Sequence, residues 1–225
     1  MKKIITVIVA EDHEIVRKGL LALLKLEKDI EVVAEAENGR QCVELTKKLA
    51  PAVVVMDIAM PLLNGLEATR QILAAQPSTK ILILSAHSDD TYIEKVMELG
   101  ASGYLIKQTT ASLLVKAIHE LAAGKSFFSQ SLSKRISQYE KVPGGNTSLK
   151  KHSFKLTSRE TEVLQLIAEG MLNKQTASEL GISIKTVEKH RQALMDKLHV
   201  HDTAGLTRYA IAEGIIESSS QLTTE

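Results

Sequence analysis

Val53-Val54-Val55-Met56 followed at once by Asp57 is an unbroken apolar run with a carboxylate at its end, apolar enough to read as a central strand buried on both faces. Four more strands can be read on either side of it: Ile4 to Ala10, Ile30 to Glu35, Lys80 to Leu84 and Gly103 to Ile106. Between them Ile15 to Leu26, Gln41 to Leu49, Leu66 to Gln76, Thr91 to Leu99 and Ala111 to Ala123 carry helical patterns, with Gly100 and Gly124 well placed to end two of these helices. The alternation predicts an α/β fold, a (βα)5 doubly wound parallel sheet covered by helices on both faces. In such a sheet the chemistry is sought on loops just beyond the carboxyl ends of the strands.

The alternation stops at Lys125. Residues 126–155 contain several serines, the turn signal Pro143-Gly144-Gly145-Asn146 and the basic cluster Lys150, Lys151 and Lys155, which together read as a linker. Leu132 to Tyr139 could form a short helix within it. From Leu156 onward the pattern is wholly helical: Thr157-x-x-Glu160 is a capping box, Gly170 closes the helix it opens, and Asn173 starts a second. Gly181 then turns the chain, Ser183 caps a third helix, and Asp202 opens a fourth that ends near Gly214. The expected division is therefore an α/β domain over 1–125, a linker over 126–155, a small all-α domain over 156–217 and a tail over 218–225.

At 225 residues, 44% of them apolar and 24% charged, the composition is globular. No apolar run approaches the ~20 residues needed to span a bilayer, and the first residues lack a small-residue cleavage site. The expectation is a cytoplasmic chain without a membrane partner. The single cysteine, Cys42, can form no internal disulfide, and its place in a helical pattern suggests a buried apolar role. A net charge of +1 leaves the question of nucleic acid to the distribution of charge.

Glu11 and Asp12 follow the first strand and Asp57 follows the third, so three carboxylates converge at one sheet edge. Uncompensated, they would raise one another's pKa values, and a divalent cation that prefers oxygen ligands, Mg²⁺ above all, is the simplest neutraliser. Ser85 brings a hydroxyl from the end of the fourth strand, and Lys107 an ammonium from the end of the fifth. These are the parts needed to hold a phosphoryl group in line with a carboxylate nucleophile, and the position of Asp57 at mid-sheet makes it the nucleophile of choice. Taken singly, each has an ordinary reading, since a strand-terminal Asp is commonly a turn former.

Taken together, they fit a family. Ala10-Glu11-Asp12-His13-Glu14-Ile15-Val16-Arg17-Lys18-Gly19-Leu20, Met56-Asp57-Ile58-Ala59-Met60-Pro61-Leu62-Leu63-Asn64-Gly65, Ser85, and Gly100-Ala101-Ser102-Gly103-Tyr104-Leu105-Ile106-Lys107 closely resemble the receiver domain of two-component response regulators. The resemblance implies that Asp57 accepts phosphate from a sensor histidine kinase. It further implies that Asp12, Asp57 and the Ala59 backbone carbonyl bind Mg²⁺, with Glu11 holding a metal-bound water. Lys107 would pair with the phosphate, Ser85 would be the switch hydroxyl, and Tyr104 the aromatic side chain whose rotamer follows the state. Two departures are visible: Ser85 stands where Thr is commoner, and Gln108 where many receivers have Pro. Ala59 and His87 occupy positions that tune phosphate lifetime in the family.

The helical region resembles a second module. Leu156 to Gly170, Asn173-Lys174-Gln175-Thr176-Ala177, Leu180-Gly181-Ile182-Ser183, Thr186-Val187-Glu188-Lys189-His190-Arg191 and Lys197-Leu198 look like the LuxR-type helix-turn-helix DNA-binding domain, which with the receiver resembles the NarL/FixJ family. At about 100° per residue, Ile184, Val187, Leu194, Met195 and Leu198 form one apolar seam, opposite Lys185, Lys189 and Gln192. That opposite face, near the helix N-terminus, suits entry into a major groove, where Lys and Gln reach base edges. Lys174, Thr186, His190 and Lys197 flank it and suit phosphate contacts, whereas Arg191 lies nearer the seam and reads first as a snorkelling side chain.

The expected function is that of a transcription factor rather than an enzyme. Phosphorylation adds ~1.5 to 2 negative charges, drawing Ser85 and Lys107 inward and shifting the loops after the third and fourth strands. The shift would free the DNA-binding domain or let receivers pair, so that a homodimer meets promoter half-sites ~34 Å apart, with Thr203 to Glu213 as a pairing helix. A rival with the same architecture is a factor gated by a ligand or protein partner, with a vestigial acidic site. A metal-dependent phosphohydrolase would need a substrate-binding cap for which the short loops leave no room, and the C-terminal domain argues against a stand-alone phosphorelay adaptor.

Overall fold

The computed structural model describes residues 4–86, 95–128 and 156–217. His87, the first turn of the Thr91 to Leu99 pattern, the Leu132 to Tyr139 helix and the 218–225 tail lie outside the described residues.

The first half builds a five-stranded parallel sheet of β1 (Ile5–Ala10), β2 (Ile30–Ala36), β3 (Val53–Met56), β4 (Lys80–Ser85) and β5 (Gly103–Ile106), in the order β2-β1-β3-β4-β5. α1 (Glu14–Leu24), α2 (Gly39–Leu49), α3 (Gly65–Ala75) and α4 (Ala111–Ala122) connect or follow the strands, and residues 95–98 are also helical. The Val53–Met56 run is central and wholly buried, as its lack of polar residues predicts. Period-2 alternation divides its side chains between two cores. Val54 and Met56 pack with Ile8, Ile83, Tyr104, Cys42 and Ile72 on one face, while Val53 and Val55 pack with Val7, Leu84, Leu105, Leu114 and Ile118 on the other. Cys42 is fully buried, and burial pushes its thiol up to about 12, which leaves it apolar and unreactive.

The second half packs α5 (Ser158–Ala168), α6 (Asn173–Glu179), α7 (Ile184–Leu198) and α8 (Thr203–Ala212) around Val163, Leu164, Ile167, Leu194, Leu198, Leu206 and Ala210. Thr157 and Glu160 form the reciprocal capping box, Ser183 caps α7 through the Thr186 N–H, and Asp202 caps α8 through the Gly205 N–H. One seam residue departs from expectation, for Ile184 is 45% exposed while Val187 and Leu194 are fully buried. Ile184 is the first residue of α7, and at that end it projects beyond the packed seam. No helix of the described residues is long and apolar enough to cross a membrane.

Candidate phospho-acceptor site and DNA-facing helix

Parallel pairing sets the acidic site. Ala10 is in register with Met56, and the Asp57 N–H donates to the Ala10 carbonyl at 2.9 Å, so Glu11, Asp12 and Asp57 leave the sheet side by side. On the other flank Ser85 is in register with Ile106, and the Lys107 N–H donates to the Ser85 carbonyl at 2.7 Å. Lys107 Nζ thereby stands 2.9 Å from Glu11 Oε2 and 3.0 Å from Asp57 Oδ2. Its directed hydrogen bond goes to Glu11 Oε1, 3.0 Å away, which leaves those two buried oxygens charge-paired but without a directed donor. The other Asp57 oxygen, Oδ1, accepts from the Ile58 N–H at 2.8 Å.

Burial, and then the neighbouring Glu11, push the Asp57 carboxyl from its ordinary 3.8 up to about 6, with Lys107 opposing the rise. An acid whose folded-state pKa is raised binds more protons folded than unfolded, so its ionisation costs stability as pH rises through the window between 3.8 and about 6. Linkage sets an upper scale of ~3 kcal/mol. Asp57→Asn is therefore expected to stabilise the metal-free chain by about 1–3 kcal/mol near pH 7.5, and by roughly half that near pH 5. Urea titrations of both proteins at the two pH values check this, and a difference that does not change with pH contradicts it.

The residues fit a hard divalent cation. Ligand atoms of Glu11, Asp12, His13 and Asp57 lie within 4.8 Å of one another, and the buried Glu11 Oε2 and Asp57 Oδ2 lack directed donors. A set dominated by carboxylate oxygens suits Mg²⁺.

Two participants were not singled out from the sequence. His13 Nδ1 sits 2.9 Å from Asp12 Oδ1 and 3.2 Å from Glu11 Oε1. Arg17, 5% exposed, donates through Nη1 to the Glu11 carbonyl at 2.7 Å and through Nη2 to Glu37 Oε1 at 2.8 Å, bracing the acidic loop from α1. Ser85 is buried at the end of β4, and Tyr104 lies inside the core from β5. Ala59 is on the loop that leaves Asp57.

That loop also meets the helical half. Gln165 on α5, fully buried, accepts from the Asn64 N–H at 2.8 Å and donates from Nε2 to the Met60 carbonyl at 2.9 Å. Glu169 accepts from the N–H of Leu62, a residue at φ +66, where non-glycine backbone is strained. Asn64 Nδ2 donates to the Ile215 carbonyl at 3.0 Å, and Gln71 to Glu162 at 2.8 Å. Two ion pairs flank these contacts: Arg40 with Glu179 at 3.1 Å and Lys95 with Glu213 at 2.9 Å. Nothing in the sequence pairs Gln165 with a loop about a hundred residues earlier, for on its own helix it looks like one more polar residue.

On α7, Lys185, Lys189 and Gln192 are exposed on the side away from Val187 and Leu194, and Thr186 and His190 are partly exposed beside them. Lys174 is exposed near the start of α6. Lys197 is engaged differently: its Nζ is 2.7 Å from Glu160 Oε2, so a DNA phosphate would have to compete with that carboxylate. Arg191 donates to Asn173 Oδ1 at 3.1 Å and to Thr203 Oγ1 at 2.7 Å, tying α7 to α6 and α8.

The pairing of this sheet edge with a helix-turn-helix is matched among known proteins. The response regulator receiver domain model matches residues 7–119, and the model for bacterial regulatory proteins of the LuxR family matches residues 155–210. The transcriptional regulatory protein DegU of Brevibacillus brevis is 34% identical over 225 residues, covering 95% of each chain. LiaR of Bacillus subtilis is 38% identical over 206 residues, covering 92% of this chain and 96% of that one. Among solved structures, the RcsB response regulator of Salmonella typhimurium superposes with a TM-score of 0.55 at 29% identity, covering 93% of this chain and 99% of that chain. The chain belongs to the NarL/FixJ family of two-component response regulators, transcriptional regulators that join a receiver domain to a LuxR-type DNA-binding domain.

Proposed function

We propose that a sensor histidine kinase phosphorylates this chain on Asp57 and that the phosphate governs its dimerisation and its binding to promoter DNA in the cytoplasm. The observation that carries the reading is the Asp57 carboxylate itself: buried, raised to about 6, flanked by Glu11 and Lys107, and followed by the loop that Gln165 grips. An Asp57 oxygen attacks the donor's phosphorus, the P–N or P–O bond to the donor breaks with its electron pair leaving on the donor, and an acyl phosphate remains on Asp57. Asp12, Asp57 and the Ala59 carbonyl, with Glu11 acting through water, would hold Mg²⁺, which when bound neutralises charge on the phosphoryl oxygens. Lys107 exchanges its contact with the Asp57 carboxylate for one with the phosphate, and Ser85 supplies a hydroxyl to the same group. Their inward movement pulls on the loops after β3 and β4, where the helical domain is attached through Asn64 and Lys95.

On the DNA side, Lys185, Lys189 and Gln192 are assigned to base edges in the major groove, and Lys174, Thr186, His190 and Lys197 to phosphates. Chain numbering 1–125, 126–155 and 156–217 is proposed for receiver, linker and DNA-binding domain. Incubation with a small acyl-phosphate donor and Mg²⁺ should add one phosphoryl group to the wild type and none to Asp57→Asn, read by intact mass. Labelling of the Asp57→Asn chain to the same extent, or none of the wild type, would overturn the assignment and favour a factor gated by a ligand or protein partner.

A further inference from the structure

We infer that the turn Glu37-Asn38-Gly39 between β2 and α2 positions both halves of the acidic site, with Arg17 as the arm that reaches Glu11 and Asp12. The inference rests on the reading that this site holds Mg²⁺, and it assigns part of the affinity to residues that offer the cation no ligand. Arg17 Nη1 donates to the backbone carbonyls of both acidic residues, Glu11 at 2.7 Å and Asp12 at 3.3 Å, while Nη2 donates to Glu37 Oε1 at 2.8 Å. One planar guanidinium therefore fixes the backbone from which both carboxylates project, a task that a single ammonium does not perform in the same geometry. The turn holds its own shape: the Glu37 N–H donates to Gln41 Oε1 at 2.8 Å, and the Asn38 side chain caps α2 by accepting from the Gln41 N–H at 2.9 Å.

The same turn grips the other half. The Gly39 N–H donates at 2.9 Å to the carbonyl of Leu63, on the loop that leaves Asp57, and a Cβ at residue 39 would collide with that carbonyl oxygen. Three residues thus span the distance between the Glu11-Asp12 pair and the Asp57 loop. Charge alone gives Arg17 the opposite role, since a guanidinium close to a cation site repels the cation. Here Glu37 at 2.8 Å and Glu35 at 3.5 Å offset that charge, so the arm orders the acidic loop with little repulsion of Mg²⁺. Partners that orient metal ligands in this way typically change metal affinity by about 10–100-fold.

These opposed signs make the test. The Mg²⁺ dissociation constant of the full-length chain, without phosphodonor, is read from amide NMR shifts of the folded protein in the wild type, Arg17→Met, Arg17→Lys and Glu37→Ala. Arg17→Met should weaken binding by at least about tenfold, with Arg17→Lys restoring only part of the loss. Glu37 is 67% exposed, so Glu37→Ala keeps the test open should Arg17→Met not fold. It should weaken binding by about threefold or more, even in about 1 M KCl, where screening shortens the reach of a charge to ~3 Å. Binding by Arg17→Met as tight as the wild type or tighter, full restoration by Arg17→Lys, or a Glu37→Ala effect that vanishes in KCl would overturn the inference. A merely structural role would lower the unfolding midpoint and leave the dissociation constant of the folded chain unmoved. Absence of any Mg²⁺-dependent shift in the wild type would overturn the metal reading and the inference with it, whereas Mg²⁺ binding without phosphate incorporation would remove Asp57 as acceptor and leave the positioning turn upheld.

Discussion

Gly65→Ala is expected to destabilise the receiver domain by about 3 kcal/mol or more, the upper end of the overpacking range. A Cβ at residue 65 would lie 1.9 Å from the Asp57 carbonyl oxygen, 2.9 Å from its carbon and 3.0 Å from Ile58 Cα. All three are backbone atoms, so no side chain can swing away. The close approach arises because the Gly65 N–H donates to the Ile58 carbonyl at 2.8 Å, folding the start of α3 back over the loop that leaves Asp57. A side chain there would move Asp57, the proposed phospho-acceptor, as well as strain the fold, so phosphate incorporation should fall in parallel. Gly19→Ala is the internal control. It lies in α1 with nothing within 4 Å of the added Cβ, and should be neutral or stabilising by up to ~1 kcal/mol through helix propensity. Equal midpoints for the two variants in urea unfolding, followed by a receiver-domain signal, would contradict the tight packing of this loop.

Lys185→Ala combined with Lys189→Ala is expected to weaken binding to a selected promoter duplex by about a hundredfold, at ~1–3 kcal/mol for each good base contact. Both side chains are exposed, and solvated surface changes usually alter stability by no more than ~0.5 kcal/mol, so the fold should be unaffected. Lys197→Ala should cost less affinity, because its proposed phosphate contact is made in competition with Glu160. It removes the partner of Glu160, whose carboxylate burial raises and whose bonds to Lys197 and Thr157 lower to a net pKa below its ordinary value. That change should disturb the cap of α5 and lower stability more than it lowers DNA affinity. Affinity titrations at two salt concentrations, set beside thermal unfolding, separate the two classes, and an unchanged affinity for the double variant would remove α7 from the DNA interface.

Most of the fold follows from local signals that are strong here. The Val53–Met56 run has no polar residue to place at a surface, so its central position is dictated by burial alone. Parallel order then brings the ends of β1, β3, β4 and β5 to one edge, which is why carboxylates and a lysine nearly a hundred residues apart could be assembled from the sequence. What escaped depends on tertiary contact. Arg17 reads as one charged residue on an amphipathic helix, and only the structure shows its guanidinium under the acidic loop. Gln165 and Glu169 read as the polar face of α5, yet they satisfy the backbone of a strained loop in the other domain. Ile184 shows the reverse failure: its angular position puts it on the seam, but at the end of α7 it is left 45% exposed. Periodicity reports direction around a helix and says nothing of whether a neighbour stands there.

The claim on which all of this turns is that phosphate on Asp57 controls engagement of promoter DNA. Its most direct measurement is the affinity of the full-length chain for a promoter duplex carrying two half-sites, with and without acyl-phosphate donor and Mg²⁺, in the wild type and in Asp57→Asn. Tighter binding by the treated wild type alone, with Asp57→Asn remaining at the untreated level, is the predicted result. An Asp57→Asn chain that binds as tightly as the phosphorylated wild type would contradict the account.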